Sequence, residues 1–434
     1  MPVTPHLILV SRYFPPTNIV GAIRPFRLAR HMANVGWTVD VVHGPHDFNA
    51  LESDLADSLP DRIQCHPAQT GRSQTQPRSR FVKRWHQMTR LLGSKVTGLD
   101  SELDLARSMA KRIEALLSQR DPSTPSVLVT STPPHSLHVV GLLLRAHRDL
   151  PWIVDLRDPW DQFVRTGRHD QPHIIARTIE RRAMRKARFV ISTTEGYTDV
   201  LRRRFPSLDA GKFRTITNSY AMDDGPPKDV HVPDDTSVRV VYTGIFYPAK
   251  DPYTFFRALG QWKRRSSPAQ WQHIAERLRV DLVGVADATT PRVIAELGIS
   301  DIVTLITRVP QHEARERCRH ADFLLIASGL SDKSREGWLP SKLFEYLAAK
   351  RPIIAVCREG ELARLIRDSN CGFLFQDEDP KPIIALLEDA LERKARGQSI
   401  ADDLSYSGIE RYSEEAVFSQ FAQLAQETAV AKDD

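Results

Sequence analysis

Short apolar segments alternate with longer amphipathic segments along the chain, and this alternation predicts its secondary structure. In the first half, strands are predicted at residues 7–10, 39–42, 127–129, 152–154, 189–191 and 215–217. These runs are continuously apolar, which is typical of a parallel sheet that helices cover on both faces. We therefore predict a doubly wound α/β domain over residues 1–221.

Residues 222–236 interrupt the alternation, because proline, glycine and aspartate dominate there and no periodicity survives. We predict a linker at this position. The alternation then restarts, with predicted strands at 238–242, 280–283, 302–305, 323–326, 353–356 and 373–375, and with helices that include 252–262 and 341–349. This indicates a second doubly wound domain over residues 237–400. A helical segment at 401–434 follows, and packing back on the N-terminal domain is one option for it.

The expected fold class is α/β, with two Rossmann-like domains. Ligands of doubly wound sheets bind beyond the carboxyl ends of the strands, and two such domains in series bring two sets of strand ends to one interface. We therefore expect the site in a central cleft that both domains face. The length of 434 residues suits two domains of this kind.

Composition favours an enzyme of the cytoplasm. No apolar run approaches the roughly 18 residues needed to cross a bilayer, and the N-terminus lacks the pattern of a signal peptide. The four cysteines form no CxxC pair, so we predict neither a zinc site nor a redox dithiol. The net charge of +6 is unevenly spread, since residues 63–95 are basic and contain no acidic residue. Such a segment favours anionic partners.

The first candidate binding segment, residues 11–24, follows a strand and precedes a helix. Gly21 would let the backbone approach a ligand closely, and the helix start would offer N–H groups to an anion. A turn shaped by glycine and proline explains the same residues without a ligand.

The second segment, P-W-I-V-D-L-R-D-P-W at residues 151–160, places Asp155, Arg157 and Asp158 at the end of a predicted buried strand. Charges there are costly unless they are paired with each other or with a ligand. Asp155, Arg157, Asp158 and the upstream His135 are our acceptor-side candidates. We assign Asp158 to function, and for Asp155 a structural bridge to an arginine is the alternative. Upstream, His135 either faces the cleft or serves as a loop or capping residue.

The third segment, residues 241–252, contains Gly244 at the end of a predicted strand and Lys250 just before a predicted helix. A lysine beside a helix start suits a pyrophosphate, because its charge adds to the helix dipole. The alternative is a solvated loop lysine.

The fourth segment, residues 336–355, combines Pro340, Ser341, Lys342 and Glu345 at the start of a predicted helix. Pro340 fits the first helical position, so the next N–H groups, with a hydroxyl and an ammonium beside them, would form a phosphate site. Glu345 lies four residues after Ser341 on the same helical face and could accept the two hydroxyls of a ribose. A surface pair between Lys342 and Glu345 is the alternative.

In their order along residues 7–375, these segments resemble GT-B glycosyltransferase family 4, retaining enzymes that use sugar nucleotides, and especially its bacterial surface-polysaccharide branch. The resemblance rests on Y-F-P-P, D-L-R-D-P-W, the spacing from Gly244 to Lys250, and P-S-K-L-F-E-Y-L-A. It implies that Gly21 approaches the donor diphosphate, that Lys250 binds it, and that Glu345, the second glutamate of the family's E-x7-E motif, holds the donor ribose.

The chain departs from the family pattern at three positions. Gly337 stands where the first glutamate of E-x7-E belongs, and Glu336 is one position early. Ile245 replaces the arginine usual after the glycine, and Lys342 is a candidate for the missing positive charge. Many members have a histidine where this chain has Arg157, which leaves the acceptor side less defined.

The resemblance also implies a reaction with retention of configuration. Because no nucleophile is obvious, we favour front-face attack in which the departing phosphate takes the acceptor proton. Lys250, Lys342 and the helix start at Pro340 would stabilise the charge on that phosphate without a metal or other cofactor. Asp158 would orient the acceptor hydroxyl.

Two rival functions remain at the level of sequence. A sugar-nucleotide epimerase of the same fold would need no acceptor. A non-catalytic nucleic-acid-binding protein would use the basic segment, but the chain lacks recognisable nucleic-acid motifs, so we expect no nucleic acid. For the transferase, the acceptor would be a saccharide or a lipid-linked saccharide in the synthesis of surface polysaccharide or glycoconjugate, and the donor sugar a hexose or an N-acetylhexosamine.

Residues 78–95 add a possible membrane contact. Phe81, Trp85, Met88 and Leu92 recur at helical spacing, and basic residues fall largely elsewhere around the helix. Such a helix suits an anionic bilayer surface and would place the enzyme at the inner face of the membrane. Alternatively, the same apolar face packs on the protein's own sheet.

Overall fold

The computed structural model describes residues 4–17, 19–45, 59–68, 102–145, 150–160, 174–221, 237–246, 251–284, 287–330 and 337–430. The chain divides into two compact units, one of residues 1–219 and 414–434 and the other of residues 220–413. The predicted linker at 222–236, Lys250, Glu336 and the basic segment at 78–95 lie outside the described residues.

The first unit contains a seven-stranded sheet in which all neighbouring strands are parallel. Its strands are β1 (His6–Ser11), β2 (Thr38–His43), β3 (Ile63–Pro67), β4 (Ser126–Thr132), β5 (Trp152–Leu156), β6 (Phe189–Ser192) and β7 (Phe213–Thr215). The order across the sheet is β3-β2-β1-β4-β5-β6-β7. The strand order therefore reverses between β1 and β4, where doubly wound sheets bind their ligands.

Helices cover both faces of this sheet. They are α1 (Val20–Asn34), α2 (Leu103–Ser118), α3 (His138–Arg145), α4 (Ile174–Lys186) and α5 (Glu195–Arg204). Along β1, Ile8 and Val10 enter one buried apolar cluster, whereas Leu7 and Leu9 enter another. Successive side chains of a strand point to opposite faces, so a strand that is apolar at every position needs a core on each side.

The second unit repeats this plan with a six-stranded parallel sheet. Its strands are β8 (Val238–Thr243), β9 (Leu278–Val283), β10 (Val303–Ile306), β11 (Phe323–Ala327), β12 (Ile353–Val356) and β13 (Gly372–Phe375), in the order β10-β9-β8-β11-β12-β13. The reversal point lies between β8 and β11. Two doubly wound parallel sheets confirm the α/β architecture predicted from the sequence.

The helices of the second unit are α6 (Thr254–Arg265), α7 (Pro268–Arg277), α8 (Thr289–Glu296), α9 (Gln311–Arg319), α10 (Ser341–Ala349), α11 (Glu361–Ser369) and α12 (Lys381–Ala395). Val240 and Tyr242 of β8 belong to one core and Val241 to the other. Helices α9 and α10 pack against each other, which brings residues of both helices to the same end of the sheet.

The last helix, α13 (Glu414–Val430), returns to the first unit. Val417, Phe418 and Phe421 share a buried cluster with Phe26 of α1, and Arg30 of α1 pairs with Glu414. Residues 401–413 remain with the second unit, so the chain leaves that unit later than residue 400, where the sequence pattern placed the boundary. No helix within the described ranges is long and apolar enough to cross a membrane.

Two sheet elements differ from the sequence prediction. Strand β3 was missed, because Gln64 and Cys65 are exposed and an edge strand that pairs only with β2 lacks the continuous apolar pattern. Strand β7 lies two residues earlier than predicted, and Phe213 is its buried residue. The predicted helix at 341–349 agrees with α10.

Candidate functional site

Two glycines lie side by side at the carboxyl end of the second sheet. Gly244 follows β8 with φ of 108°, and Gly284 follows β9 with φ of 86°, both in the region that favours glycine. The Gly244 N–H donates to the Val283 carbonyl at 2.8 Å, and a Cβ on Gly284 would lie 3.7 Å from the Gly244 Cα. Gly244 is exposed, so a ligand can approach its backbone closely.

The Lys342 ammonium lies beside Gly244. Its Nζ is 3.4 Å from the centroid of the Tyr242 ring and 3.4 Å from the position that a Cβ on Gly244 would take. The Tyr242 hydroxyl donates to the Ile245 carbonyl at 3.0 Å, and its ring stacks on Phe246 at 4.1 Å between centroids. A cation over an aromatic face is electrostatically favoured, so Tyr242 holds the charge of Lys342 at the end of β8.

Helix α10 begins at this point. Pro340 is the residue before the helix, with φ of −67° and ψ of 142°, and Ser341 is the first helical residue. Pro340 therefore lies one position earlier than the sequence pattern suggested. The first N–H groups of a helix have no partner within it, and Ser341 is exposed, so the helix start adds backbone donors next to the Lys342 charge.

Glu345 lies one turn further along α10, where helix α9 supplies its partners. Gln311 Nε2 donates to Glu345 Oε1 at 3.3 Å, and Arg315 Nε is 3.5 Å from Glu345 Oε2. The carboxylate is partly buried, with 23% of its side chain exposed. These contacts give Glu345 a defined orientation.

A buried polar contact ties α10 to β8. The Thr243 N–H donates to the Tyr346 hydroxyl at 2.9 Å, and burial raises the pKa of Tyr346, so this hydroxyl stays neutral. Cys318 is buried nearby, and burial followed by the charge of Glu345 raises the pKa of its thiol. The thiol is therefore protonated. Tyr346 is the neighbour of Glu345 and lies one helical turn after Lys342. Its hydrogen bond to the backbone of β8 therefore fixes the positions of both residues relative to that strand.

In the first unit, Asp155 is fully buried against Arg24. Arg24 Nη2 is 2.9 Å from Asp155 Oδ1, and Ser131 Oγ donates to Asp155 Oδ2 at 2.7 Å. Arg24 also donates to the carbonyls of Ile216 and Thr217. This is the structural bridge that the sequence allowed for Asp155, and its partner comes from α1. The enclosed carboxylate supports the loop rather than contacting an acceptor.

The Arg157 guanidinium connects the start of α1 to the end of β4. It donates to the carbonyls of Gly21, Thr132 and Pro133. Burial lowers the pKa of Arg157, while the charges of Asp155 and Asp158 oppose that shift. We therefore assign Arg157 to holding the loops together.

Gly21, the second residue of α1, is closely packed. A Cβ at this position would lie 3.0 Å from Cδ2 of Tyr13 and 3.7 Å from Nη1 of Arg157. Glycine therefore avoids a tight contact with the Tyr13 ring here, and its carbonyl accepts from Arg157. A diphosphate contact of Gly21 stays a prediction.

His135 is buried in the same region and contacts the loop after β5. Its Nε2 lies 3.1 Å from the Pro159 carbonyl oxygen, and its ring stacks on Trp160 at 5.0 Å between centroids. His138 also stacks on Trp160, and burial lowers its pKa well below the usual value, so this second imidazole is neutral. These contacts favour the loop role for His135.

Asp158 stands on a loop whose main chain is held in place. Thr193 Oγ1 donates to the Arg157 carbonyl at 3.1 Å, and the Tyr197 hydroxyl donates to the Asp158 carbonyl at 3.5 Å and accepts from the Trp160 N–H at 2.9 Å. The Asp158 side chain is only partly buried. It remains the acceptor-side candidate that a ligand can reach.

The sequence analysis missed four residues of these sites. Arg24 lies inside the first candidate segment, but the sequence gives no indication that Asp155 is its partner. Tyr242 was predicted only as part of a strand. Gln311 and Arg315 stand four residues apart in a strongly charged stretch, a spacing that places them on one helical face. Their partners lie far away in the sequence, so no local pattern identifies them.

No group of three histidine, cysteine, aspartate or glutamate side chains that could hold a metal occurs in the described part of the chain. The charged side chains described above around the start of α10 are Lys342, Arg315 and Glu345, an arrangement that suits an anion with hydroxyl groups.

Two family models match the chain in succession. Residues 21–219 match the glycosyl transferase 4-like domain, and residues 227–410 match the glycosyl transferases group 1. The chain belongs to the family 4-like, group 1 glycosyltransferases. Group 1 enzymes use nucleotide-sugar donors. Neither the epimerase nor the nucleic-acid hypothesis gains support from these matches.

Solved structures of the GT-B fold resemble the glycosyltransferase over nearly its full length. Sucrose-phosphate synthase from Thermosynechococcus elongatus has a TM-score of 0.68 and 17% identity, covering 99% of this chain and 100% of that one. Anabaena HepE in complex with UDP has a TM-score of 0.61 and 13% identity, covering 98% of this chain and 100% of that one. S. aureus TarM in complex with fondaparinux, α-GlcNAc-glycerol and UDP has a TM-score of 0.60 and 11% identity, covering 97% of this chain and 100% of that one. No curated protein sequence gives a significant match.

The buried bridge predicts a large stability effect. Asp155→Ala should lower the free energy of unfolding by about 3–5 kcal/mol, because it leaves the Arg24 guanidinium buried without its carboxylate. Denaturant unfolding measures this. The matched control is Asp199→Ala, which removes an exposed pair with Arg202 and should cost about 0–1 kcal/mol. Equal, small losses in both variants would contradict the assignment of Asp155 as a structural residue.

Proposed function

We propose that the second unit binds the nucleoside diphosphate of the sugar donor at the start of α10 and that Glu345 holds the donor ribose. The observation that carries this proposal is the position of the Lys342 ammonium, over Tyr242 and beside Gly244, one helical turn from the Glu345 carboxylate. A diphosphate and a ribose are joined by a short covalent link, so groups that recognise them must stand close together.

The diphosphate would lie where positive charge is concentrated. Lys342 and the N–H groups at the start of α10 would donate hydrogen bonds to its oxygens, with the Ser341 hydroxyl as a further donor. Exposed Gly244 would allow close approach of the phosphate to the backbone. Lys250 is assigned to the same diphosphate by the family resemblance alone. As the glycosidic bond breaks, negative charge develops on the leaving phosphate and these groups stabilise it electrostatically.

Substitutions in the donor site should separate binding from folding. Glu345→Gln and Lys342→Ala should each weaken nucleoside diphosphate binding roughly ten- to a hundredfold, because each loses a charge-assisted hydrogen bond worth about 1.5–3 kcal/mol. Isothermal titration calorimetry with the full chain measures the affinities. Matched controls are Lys381→Ala and Glu392→Gln on α12, which should bind like wild type. Unchanged affinity in both site variants would remove this donor site.

We propose that transfer needs no metal, because lysines and a helix start supply the positive charge at the leaving group. Turnover of the preferred nucleotide sugar should therefore persist in excess EDTA at more than about half its rate, since metal removal takes away no group assigned to catalysis. Nucleoside diphosphate release over time measures the rate. Loss of turnover in EDTA that manganese or magnesium restores would show that this proposal is wrong.

The acceptor side is assigned to the first unit, with Asp158 as the orienting carboxylate. Its loop is held by Arg157, Thr193 and Tyr197, which would keep the carboxylate in one place while an acceptor hydroxyl binds. The family resemblance supports retention of configuration as part of the proposal, and front-face attack, with the departing phosphate taking the acceptor proton, needs no protein nucleophile. The proposed acceptor is a saccharide or a lipid-linked saccharide in surface polysaccharide or glycoconjugate synthesis.

A lipid-linked acceptor would require contact with a membrane, and residues 78–95 are the proposed contact at its inner face. This rests on the amphipathic sequence pattern alone. Wild type should pellet with anionic liposomes at low salt and release at high salt, since each basic residue contributes on the order of 1 kcal/mol and salt screens it. A triple alanine variant of Lys83, Arg84 and Trp85 should stay in the supernatant. Wild type that ignores anionic liposomes at every salt concentration would exclude the membrane contact.

A further inference from the structure

Helix α9 contributes two side chains to the same carboxylate. Gln311 and Arg315 are four residues apart, so they share one face of the helix, and each approaches a different oxygen of Glu345, at 3.3 and 3.5 Å. The side chains of Arg315 and Glu345 are 18% and 23% exposed, so this is a partly enclosed pair rather than a solvated one.

The Glu345 carboxylate stays within reach of a ligand, since 23% of its side chain is exposed. A carboxylate oxygen can accept more than one hydrogen bond, so the contacts from α9 are compatible with hydrogen bonds from the two vicinal hydroxyls of a ribose. A carboxylate that is already oriented loses less conformational entropy when the ribose binds, so it binds the ribose hydroxyls with higher affinity.

We propose that Arg315 and Gln311 are positioning residues that orient Glu345 for ribose recognition, so that helix α9 sets how strongly the enzyme prefers a ribonucleotide over a 2′-deoxyribonucleotide. The inference rests on the proposed function, in which Glu345 holds the donor ribose. Arg315 does not touch the nucleotide in this assignment. Its effect therefore falls on the sugar-hydroxyl contribution to binding and leaves the phosphate contribution unchanged.

The same contacts have an opposite physical interpretation. Arg315 could occupy the Glu345 carboxylate in competition with the ribose, in which case its removal would strengthen binding. Orientation and competition predict changes of opposite sign, so the sign of the change distinguishes them.

The experiment measures two affinities for each variant of the full chain by calorimetry. The probes are the tightest-binding of UDP, GDP, ADP and CDP, and its 2′-deoxy counterpart. The readout is the ratio of the two dissociation constants, which we expect to be roughly tenfold or more in wild type, because the 2′-hydroxyl bonds to a charged group. Inorganic pyrophosphate serves as a third probe that reports the phosphate site alone.

Arg315→Gln should reduce this ratio roughly three- to tenfold while the affinity for pyrophosphate stays within about twofold, since only the orientation of Glu345 is lost. Gln311→Ala should reduce the ratio in the same direction and serves as the second variant if Arg315→Gln does not fold. The matched control is Arg317→Ala on the same helix, where Arg317 pairs with Glu313 at 2.8 Å and should leave the ratio unchanged.

Glu345→Gln distinguishes failure of this inference from failure of the proposed function. A wild-type ratio that collapses in Glu345→Gln but persists in Arg315→Gln and Gln311→Ala would overturn the role of α9 and leave the donor site intact. A ratio that Glu345→Gln does not change, or the absence of nucleotide binding by wild type, would overturn the proposed donor site and the inference with it. Tighter nucleotide binding by Arg315→Gln would overturn positioning in favour of competition.

Discussion

Parallel strands impose the constraint on which this structure depends. A parallel strand has to be followed by a crossover back along the sheet, and in both units helices provide those crossovers on both faces. The central strands are then apolar on two sides, and polar groups collect where these strands end. The candidate residues of both units stand at such ends: Gly244 after β8 and Asp158 after β5.

The two units use charge at their strand ends in different ways. In the first unit, the charged groups near the ends of β4 and β5 make structural contacts. Asp155 pairs with Arg24, and Arg157 donates hydrogen bonds to three backbone carbonyls. A buried charge is tolerated only with such partners, and the result is a rigid loop that carries Asp158. In the second unit, the Lys342 ammonium rests on an aromatic face beside an exposed glycine, a position from which it can meet an anion.

Precision at the second site depends on contacts that support Lys342 and Glu345 from neighbouring elements. Tyr346 ties α10 to the backbone of β8, and Tyr242 supports Lys342 from below. Helix α9 adds the contacts to Glu345. A binding group that is fixed before its ligand arrives contributes more to affinity, so these supporting side chains act on recognition through the groups that they hold in place.

The sequence by itself determined the two α/β units, the helix that begins at Ser341 and the presence of Lys342 and Glu345 on that helix. Apolar runs, a proline before a helix and helical spacing are local patterns, and local patterns report local structure. The tertiary structure alone decided that Asp155 meets Arg24, 131 residues away, and that Glu345 meets Arg315. It also decided that Lys342 rests on Tyr242. Such partners are set by strand order and by the packing of helices on the sheet, which bring together residues that share no sequence pattern. The polar edge strand β3 was missed for a related reason, because its place in the sheet comes from pairing with β2 and not from an apolar run of its own.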